Sequence, residues 1–143
     1  RFLAVFAIVF TLHCALATPT YLYIRNNCSQ NVDVQYHDVG SEEMIRVALL
    51  ESGQNHTYEF TSENQIFTNG VPWRTQAMFN LHYYQSDLYS VGIINGFDVG
   101  MQVTSTKSDD VITCTKASCF GYLVVGQTKD APTGGDFGLT FCP

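Results

Sequence analysis

What most constrains this chain is its punctuation. Beyond residue 17, short runs of β-branched and aromatic residues alternate with clusters of Gly, Asn, Ser, Asp and Pro. Tyr21–Arg25 and Val32–Tyr36 are the clearest runs, followed by Thr57–Phe60, Ala77–Tyr83, Tyr89–Ile94, Val99–Thr104, Tyr122–Val125 and Gly138–Phe141. Turn signals stand between them at Gly40-Ser41, Ser52-Gly53, Asn69-Gly70, Asn95-Gly96, Lys107–Asp110 and Pro132–Gly135. Side chains of a strand point alternately to its two faces, so such runs bury one face each, and strands this short and this closely spaced predict an all-β sandwich. The one helical candidate is Glu42–Leu50, where Met44, Ile45, Ala48 and Leu49 would share a face and Ser41 could cap the first turn; the same run also suits a strand. No repeat, linker or low-complexity block interrupts residues 18–143, which are expected to form a single domain.

Residues 1–17 belong to a different class. Phe2–Leu16 is apolar apart from Thr11 and His13, follows a lone Arg1, and ends in Ala15-Leu16-Ala17. That is the order of charged, apolar and small-residue regions in a secretory signal peptide, and the apolar run is shorter than the roughly 20 residues of a membrane-spanning helix. The expectation is export, with no membrane span after cleavage. Cysteine usage agrees: with Cys14 in the leader, four cysteines remain, Cys28, Cys114, Cys119 and Cys142. An even number in an oxidising compartment reads as two disulfides, with three possible connectivities. A Cys28–Cys142 bridge would tie the first strand to the last and remove about 4–5 kcal/mol of unfolded-state entropy, whereas a Cys114–Cys119 bridge closes a tight loop and contributes less. Asn27-Cys28-Ser29 and Asn55-His56-Thr57 are N-glycosylation sequons. Asn55 lies beside a polar turn and is the better acceptor; Asn27 abuts a cysteine.

Charge excludes some partners. Seven basic against thirteen acidic residues give a net charge of −6, and no three basic residues stand together. Binding to a phosphate backbone requires clustered Lys and Arg, so nucleic acid is excluded.

Three segments taken in order resemble the thaumatin-like (osmotin-type, pathogenesis-related) family. Ile24-Arg25-Asn26-Asn27-Cys28 is similar to the opening strand and first cysteine of that family. Tyr89–Met101 (YSVGIINGFDVGM) resembles its "DISLVDGFNVPM" stretch, and Asp136–Pro143 (DFGLTFCP) resembles its terminal "Y-x-V-x-FCP". Trp73-Arg74-Thr75 echoes "WGRT", and Cys114 and Cys119 keep the four-residue gap of a family pair. The resemblance implies a disulfide-stapled thaumatin-like β-sandwich. It also implies that the family's accessory disulfide-rich lobes are missing, because the chain passes from Thr75 straight into Gln76-Ala77-Met78-Phe79 and only 22 residues separate Cys119 from Cys142. The family partners of Cys114 and Cys119 are then absent, which leaves those two to bond to each other and Cys28 to bond to Cys142.

In larger members an acidic cleft is credited with β-1,3-glucan binding and, in some, hydrolysis. Glycoside hydrolysis needs two carboxyls flanking the scissile bond. Carried over position by position, the cleft Arg falls on Gly70 or Val71, the strand Glu on Met78, and the two Asp on Ser90 and Asn95. None is a carboxylate, so the chain is expected not to be an enzyme. Other constellations do not replace them: His37, His56 and His82 lack metal-site or protease spacing, the cysteines are committed to disulfides, and no G-x-S-x-G elbow occurs. Asp109-Asp110 reads as a solvated turn rather than a calcium site. No metal or cofactor is implied.

Aromatics and a few charges remain. Trp73, Arg74, Tyr83, Tyr84, Tyr89, Asp87 and Asp98 lie in or beside segments that border the cleft in larger relatives, and sugar rings and protein surfaces both use exposed aromatics. Strand alternation sends one of Tyr83 and Tyr84 inward and the other outward. The expected function is a secreted, monomeric, non-catalytic protein binding β-1,3-glucan or another cell-wall polysaccharide, with a protein-interaction module such as an enzyme inhibitor or effector as the alternative.

Overall fold

The computed structural model describes residues 18–70, 74–120 and 126–143. Among these residues there is no helix, and the strands are β1 (Tyr21–Asn26), β2 (Val32–Asp38), β3 (Ile45–Leu50), β4 (Asn55–Glu59), β5 (Asn64–Asn69), β6 (Thr75–Tyr83), β7 (Ser86–Ile93), β8 (Met101–Ser105), β9 (Ser108–Cys114), β10 (Gly126–Pro132) and β11 (Phe137–Phe141). They build a five-stranded sheet in the order β4-β1-β11-β8-β9 and a six-stranded sheet in the order β10-β7-β6-β5-β2-β3. The first and last strands lie side by side, and β1–β11 is a parallel pair in an otherwise antiparallel set.

Alternation accounts for the core. Leu22 and Ile24 of β1, Leu139 and Phe141 of β11, and Met101 and Val103 of β8 point from one sheet; Val32 and Val34 of β2, Ala77 and Phe79 of β6, and Tyr89 and Val91 of β7 meet them from the other. The intervening positions face outward, as expected of antiparallel sheets with one face in water. Phe60, Phe67, Phe79 and Phe137 form an edge-to-face chain with centroids 5.2–6.2 Å apart. This geometry sets positive ring edges against negative ring faces across the sandwich. Truncating a ring such as Phe67 to Ala is worth about 3–5 kcal/mol.

The fully buried Gln65 is paired on both sides of its amide. The Gln65 amide donates to Asp38 Oδ1 (3.0 Å) and Thr61 Oγ1 (2.9 Å) and accepts from the Tyr58 hydroxyl at 3.1 Å. Burial pushes the Tyr58 phenol up to about 12. Both disulfides are formed, Cys28–Cys142 and Cys114–Cys119. The sheets are also joined at one side, where Tyr89 of β7 donates to the Asp110 carbonyl of β9 at 2.7 Å and Lys129 of β10 lies 3.8 Å from the Asp110 carboxylate.

Several expectations are corrected. Glu42–Leu50 is not a helix: Ile45–Leu50 is an edge strand paired with β2 across a bulge at Val34/Gln35. The β-branched Ile45 and Val47 favour a strand, and Arg46 is held by a two-point contact with Asp33 on the neighbouring strand (2.7 and 2.9 Å). Ser41 does accept an amide, from Glu43 at 3.1 Å, but in the irregular stretch ahead of β3. Asp109 and Asp110 are strand residues of β9, not turn residues. Three strands, β5, β9 and β10, are not among the expected runs, and the run Tyr122–Val125 and the leader 1–17 lie outside the described residues.

Candidate functional site

β6 is the axis along which the candidate residues are distributed. From Thr75 to Tyr83 it spans about 26 Å at ~3.3 Å per residue. Arg74 and Asp98 sit at its beginning, and Tyr83, Tyr84 and Asp87 sit at its end. The expected residues are therefore not one site. Trp73 lies outside the described residues.

At the beginning of β6, Arg74 is exposed, and Asp98 is tied to Thr75. Asp98 Oδ1 accepts the Thr75 amide at 2.8 Å, and the Thr75 hydroxyl accepts the amides of Asp98 and Val99 at 3.3 and 3.5 Å. Asp98 thus fixes the β7–β8 connection against β6. Asn27 is exposed in the loop after β1, and Asn55 is exposed at the first position of β4.

Midway along the six-stranded sheet, Met78 and Ser90 are direct register partners on β6 and β7. These are two positions where the family resemblance places cleft carboxylates. The fold pairs them side by side, and they carry a thioether and a hydroxyl.

At the far end, β6 and β7 are joined by a hairpin whose central residues are Tyr84 and Gln85, between the paired Tyr83 and Ser86. Both have positive φ (46° and 70°), as the two central positions of a type I′ turn require, and neither is the Asn or Gly that usually occupies them. His82, two residues earlier, also has positive φ (60°), at a bulge between Asn80 and Tyr83. Non-glycine residues in this region store strain of order 1–3 kcal/mol each. The buried carboxylate of Asp87, 1% exposed, holds the arrangement by accepting the His82 amide at 2.8 Å. Glu63 supports the same point from β5's lead-in: its carbonyl accepts the Leu81 amide at 2.7 Å and its carboxylate lies 3.3 Å from His82 Nδ1.

The strained turn presents aromatic surface. Tyr83 and Tyr84 are 47% and 87% exposed, with ring centroids 4.6 Å apart and planes at 86°. The in–out alternation expected of the pair is overturned, because the bulge and the positive-φ turn break the strand's period of two just before them. Tyr89 is likewise corrected as a ligand-contact candidate. Its ring is fully buried against Phe137 and its hydroxyl is used inside the fold. Asp87 is buried and acts through the turn rather than at the surface. The signal missed in the sequence is the pair Tyr84-Gln85 itself, which carries no turn residue. Among the described residues, no group of three or more His, Cys, Asp or Glu could hold a metal ion, and no helix is long and apolar enough to cross a membrane.

No protein-family model matches the chain, and none of the curated proteins matches it in sequence. Solved structures do match. The protein elicitor MoHrip2 from Magnaporthe oryzae superposes with a TM-score of 0.68 at 13% identity, covering 87% of this chain and 99% of that one. The thaumatin-like xylanase inhibitor TLXI superposes with a TM-score of 0.65 at 18% identity, covering 85% and 99%. Matching over nearly the whole of a thaumatin-like structure establishes the fold expected from the three resembling segments.

Proposed function

We propose that this small thaumatin-like sandwich is a secreted, non-catalytic protein that acts by binding an extracellular protein, with the β6–β7 hairpin as its contact element. The observation that carries this reading is the exposed Tyr83–Tyr84 pair on a strained turn pinned by the buried Asp87. Strain maintained by its surroundings concentrates at functional positions, and rigid exposed tyrosines are effective interface anchors because little side-chain freedom is lost on contact. Non-catalysis is supported by Met78 and Ser90 facing each other where two carboxyls would be needed. That one solved neighbour is an enzyme inhibitor fits a binding role on this fold. Export rests on the leader-like residues 1–17 and on the two disulfides, which persist in oxidising compartments.

A polysaccharide partner is the weaker fit at this hairpin. The two rings stand at 86° to each other and so offer no single flat platform for successive sugar rings. One ring edge and one ring face projecting from a turn suit a pocket on a protein. The test is affinity capture from the extracellular fluid of the source tissue on immobilised protein, with a Tyr83→Ala/Tyr84→Ala variant alongside. A stoichiometric protein retained by the first and lost by the second supports the reading. Retention on insoluble β-1,3-glucan with no protein partner moves the function to polysaccharide binding, and sugar released from laminarin overturns non-catalysis.

A further inference from the structure

Two turn signals of the sequence, Asn69-Gly70 and Asn95-Gly96, are also chemically reactive pairs. The backbone nitrogen that follows an Asn can attack the carbonyl carbon of the Asn side chain. Glycine, with no Cβ to crowd the approach, permits this most readily. The two pairs have the same local chemistry, and the fold treats them differently.

At Asn69 both reacting groups are held. Asn69 ends β5 opposite Val34. Its Oδ1 accepts the Asp33 amide at 3.0 Å, the Gly70 amide donates to the Asp33 carbonyl at 2.8 Å, and the Gly70 carbonyl accepts from the Thr68 hydroxyl at 3.3 Å. Asp33 thus grips the electrophile with its N–H and the nucleophile with its carbonyl, and the two cannot meet until both bonds break.

Asn95 and Gly96 lie in the β7–β8 connection, outside both sheets, and both are exposed. Among the described residues no hydrogen bond holds the Asn95 carboxamide, and the contact of Gly96, at a φ of 98°, is an isolated bridge to Ile94. The connection is anchored on either side, by Ile93 paired with Thr75 and by Asp98 bonded to the same residue. Residues 94–97 are the span between these fixed points, and a short exposed span opens at less cost than a strand ladder.

We propose that Asn95 is a site of spontaneous modification, at which the folded chain converts a carboxamide to a carboxylate. The Gly96 nitrogen gives its proton to hydroxide and bonds to Asn95 Cγ; the Cγ–Nδ2 bond breaks, and ammonia leaves with a proton taken from water. The five-membered succinimide then adds one water, and one ring C–N bond opens. Opening at Cγ gives aspartate; opening at the backbone carbonyl gives isoaspartate, with the chain running through Cγ. One water is consumed, one ammonia is released, and nothing is oxidised or reduced. Either product adds one negative charge to a chain of net charge −6. The charge appears beyond the end of β7 that lies away from the Tyr83–Tyr84 turn, so the site is independent of the protein contact proposed there.

The test is peptide mapping by mass spectrometry of the folded, disulfide-bonded protein, held in warm, mildly alkaline buffer made with heavy-oxygen water, which labels the new carboxylate. A sample reduced and unfolded in urea runs alongside, and there Asn69 and Asn95 should convert at similar rates. In the folded protein Asn95 should convert at least roughly tenfold faster than Asn69, the worth of the two hydrogen bonds at Asp33. The intact protein should shift in step to a more acidic form on ion exchange. Asn95→Gln, whose cyclisation needs a six-membered ring, should abolish that form, and Asn95→Asp should reproduce its charge. No conversion at Asn95 in the folded protein, or conversion of Asn69 at the same rate, overturns the assignment.

Discussion

Thr75 and Asp98 bond to each other twice, the Asp98 carboxylate accepting the Thr75 amide at 2.8 Å and the Thr75 hydroxyl accepting the Asp98 amide at 3.3 Å. Two segments that carry the family resemblance, the one that ends in Thr75 and the stretch through Asp98, are therefore joined. This docks the β7–β8 connection on the start of β6. Thr75→Val is expected to leave two backbone amides without their acceptor and to lower stability in urea by about 1–3 kcal/mol. Thr75→Ser keeps the oxygen and should recover most of the loss. Equal stability of the valine and serine variants would show that the reciprocal bond contributes nothing.

The two disulfides should differ sharply in what they contribute. Cys28–Cys142 spans a sequence separation of 114 and Cys114–Cys119 a separation of 5. On the loop-entropy account the first is worth about 4–5 kcal/mol and the second about 2 kcal/mol. The Cys28→Ala/Cys142→Ala variant is therefore expected to melt at least ~10 °C lower than the parent. Cys114→Ala/Cys119→Ala should show a clearly smaller drop. Calorimetry of the two variants against the parent measures both, and a larger loss from the short loop would contradict the entropic account here.

Much of this fold was legible in the sequence because its signals are local. Leu22 and Ile24, Val32 and Val34, or Leu139 and Phe141 alternate strictly, and each pair lies in the core. β5 escaped because Gln65 and Thr68 look like surface residues and are buried, satisfied by a hydrogen-bond network that only the tertiary structure supplies. β10 escaped because Gln127-Thr128-Lys129-Asp130 carries no apolar alternation. It is an edge strand, where charge is tolerated and discourages pairing with other chains. Its first residue, Gly126, sits where a Cβ would meet the Val91 carbonyl at 2.8 Å, so the close approach to β7 explains that glycine. A cleft lined by Asn27, Asn69 and Asp98 could not be read at all. These residues are far apart in sequence and meet through the pairing of β1 with β11 and the disulfide beside it.

Acid should weaken the six-stranded sheet through two carboxylates. The Arg46 guanidinium bonded to Asp33 holds that carboxyl below its ordinary value of 3.8, and the Ser62 hydroxyl, followed by the Gln65 amide, does the same for Asp38. A carboxyl whose folded value lies below its unfolded one stabilises the fold above the unfolded value and loses that contribution as pH falls through the folded value. Stability should thus be level above about pH 5 and decline below about pH 4. An Asp33→Asn/Asp38→Asn variant should be less stable at neutral pH and converge with the parent in acid. Urea titrations at a series of pH values measure this, and parallel curves at all pH values would remove these two groups from the acid limb.

The hairpin offers a test in which stability and function should move in opposite directions. Tyr84 and Gln85 occupy the central positions of the turn at positive φ, where Asn and Gly are adopted at far lower cost. Tyr84→Asn/Gln85→Gly should relieve strain while keeping the Asp87 contact to His82. A gain of about 1–2 kcal/mol in urea denaturation is expected, offset in part by the greater freedom of glycine in the unfolded chain. The same variant loses the most exposed aromatic ring among the described residues and should no longer retain a protein partner captured by the parent. Natural proteins keep such strained residues when selection acts on binding rather than on stability. A variant that is less stable than the parent would mean that the Tyr83–Tyr84 ring contact outweighs the backbone strain, and the turn would then be a structural feature rather than a contact element held at a cost.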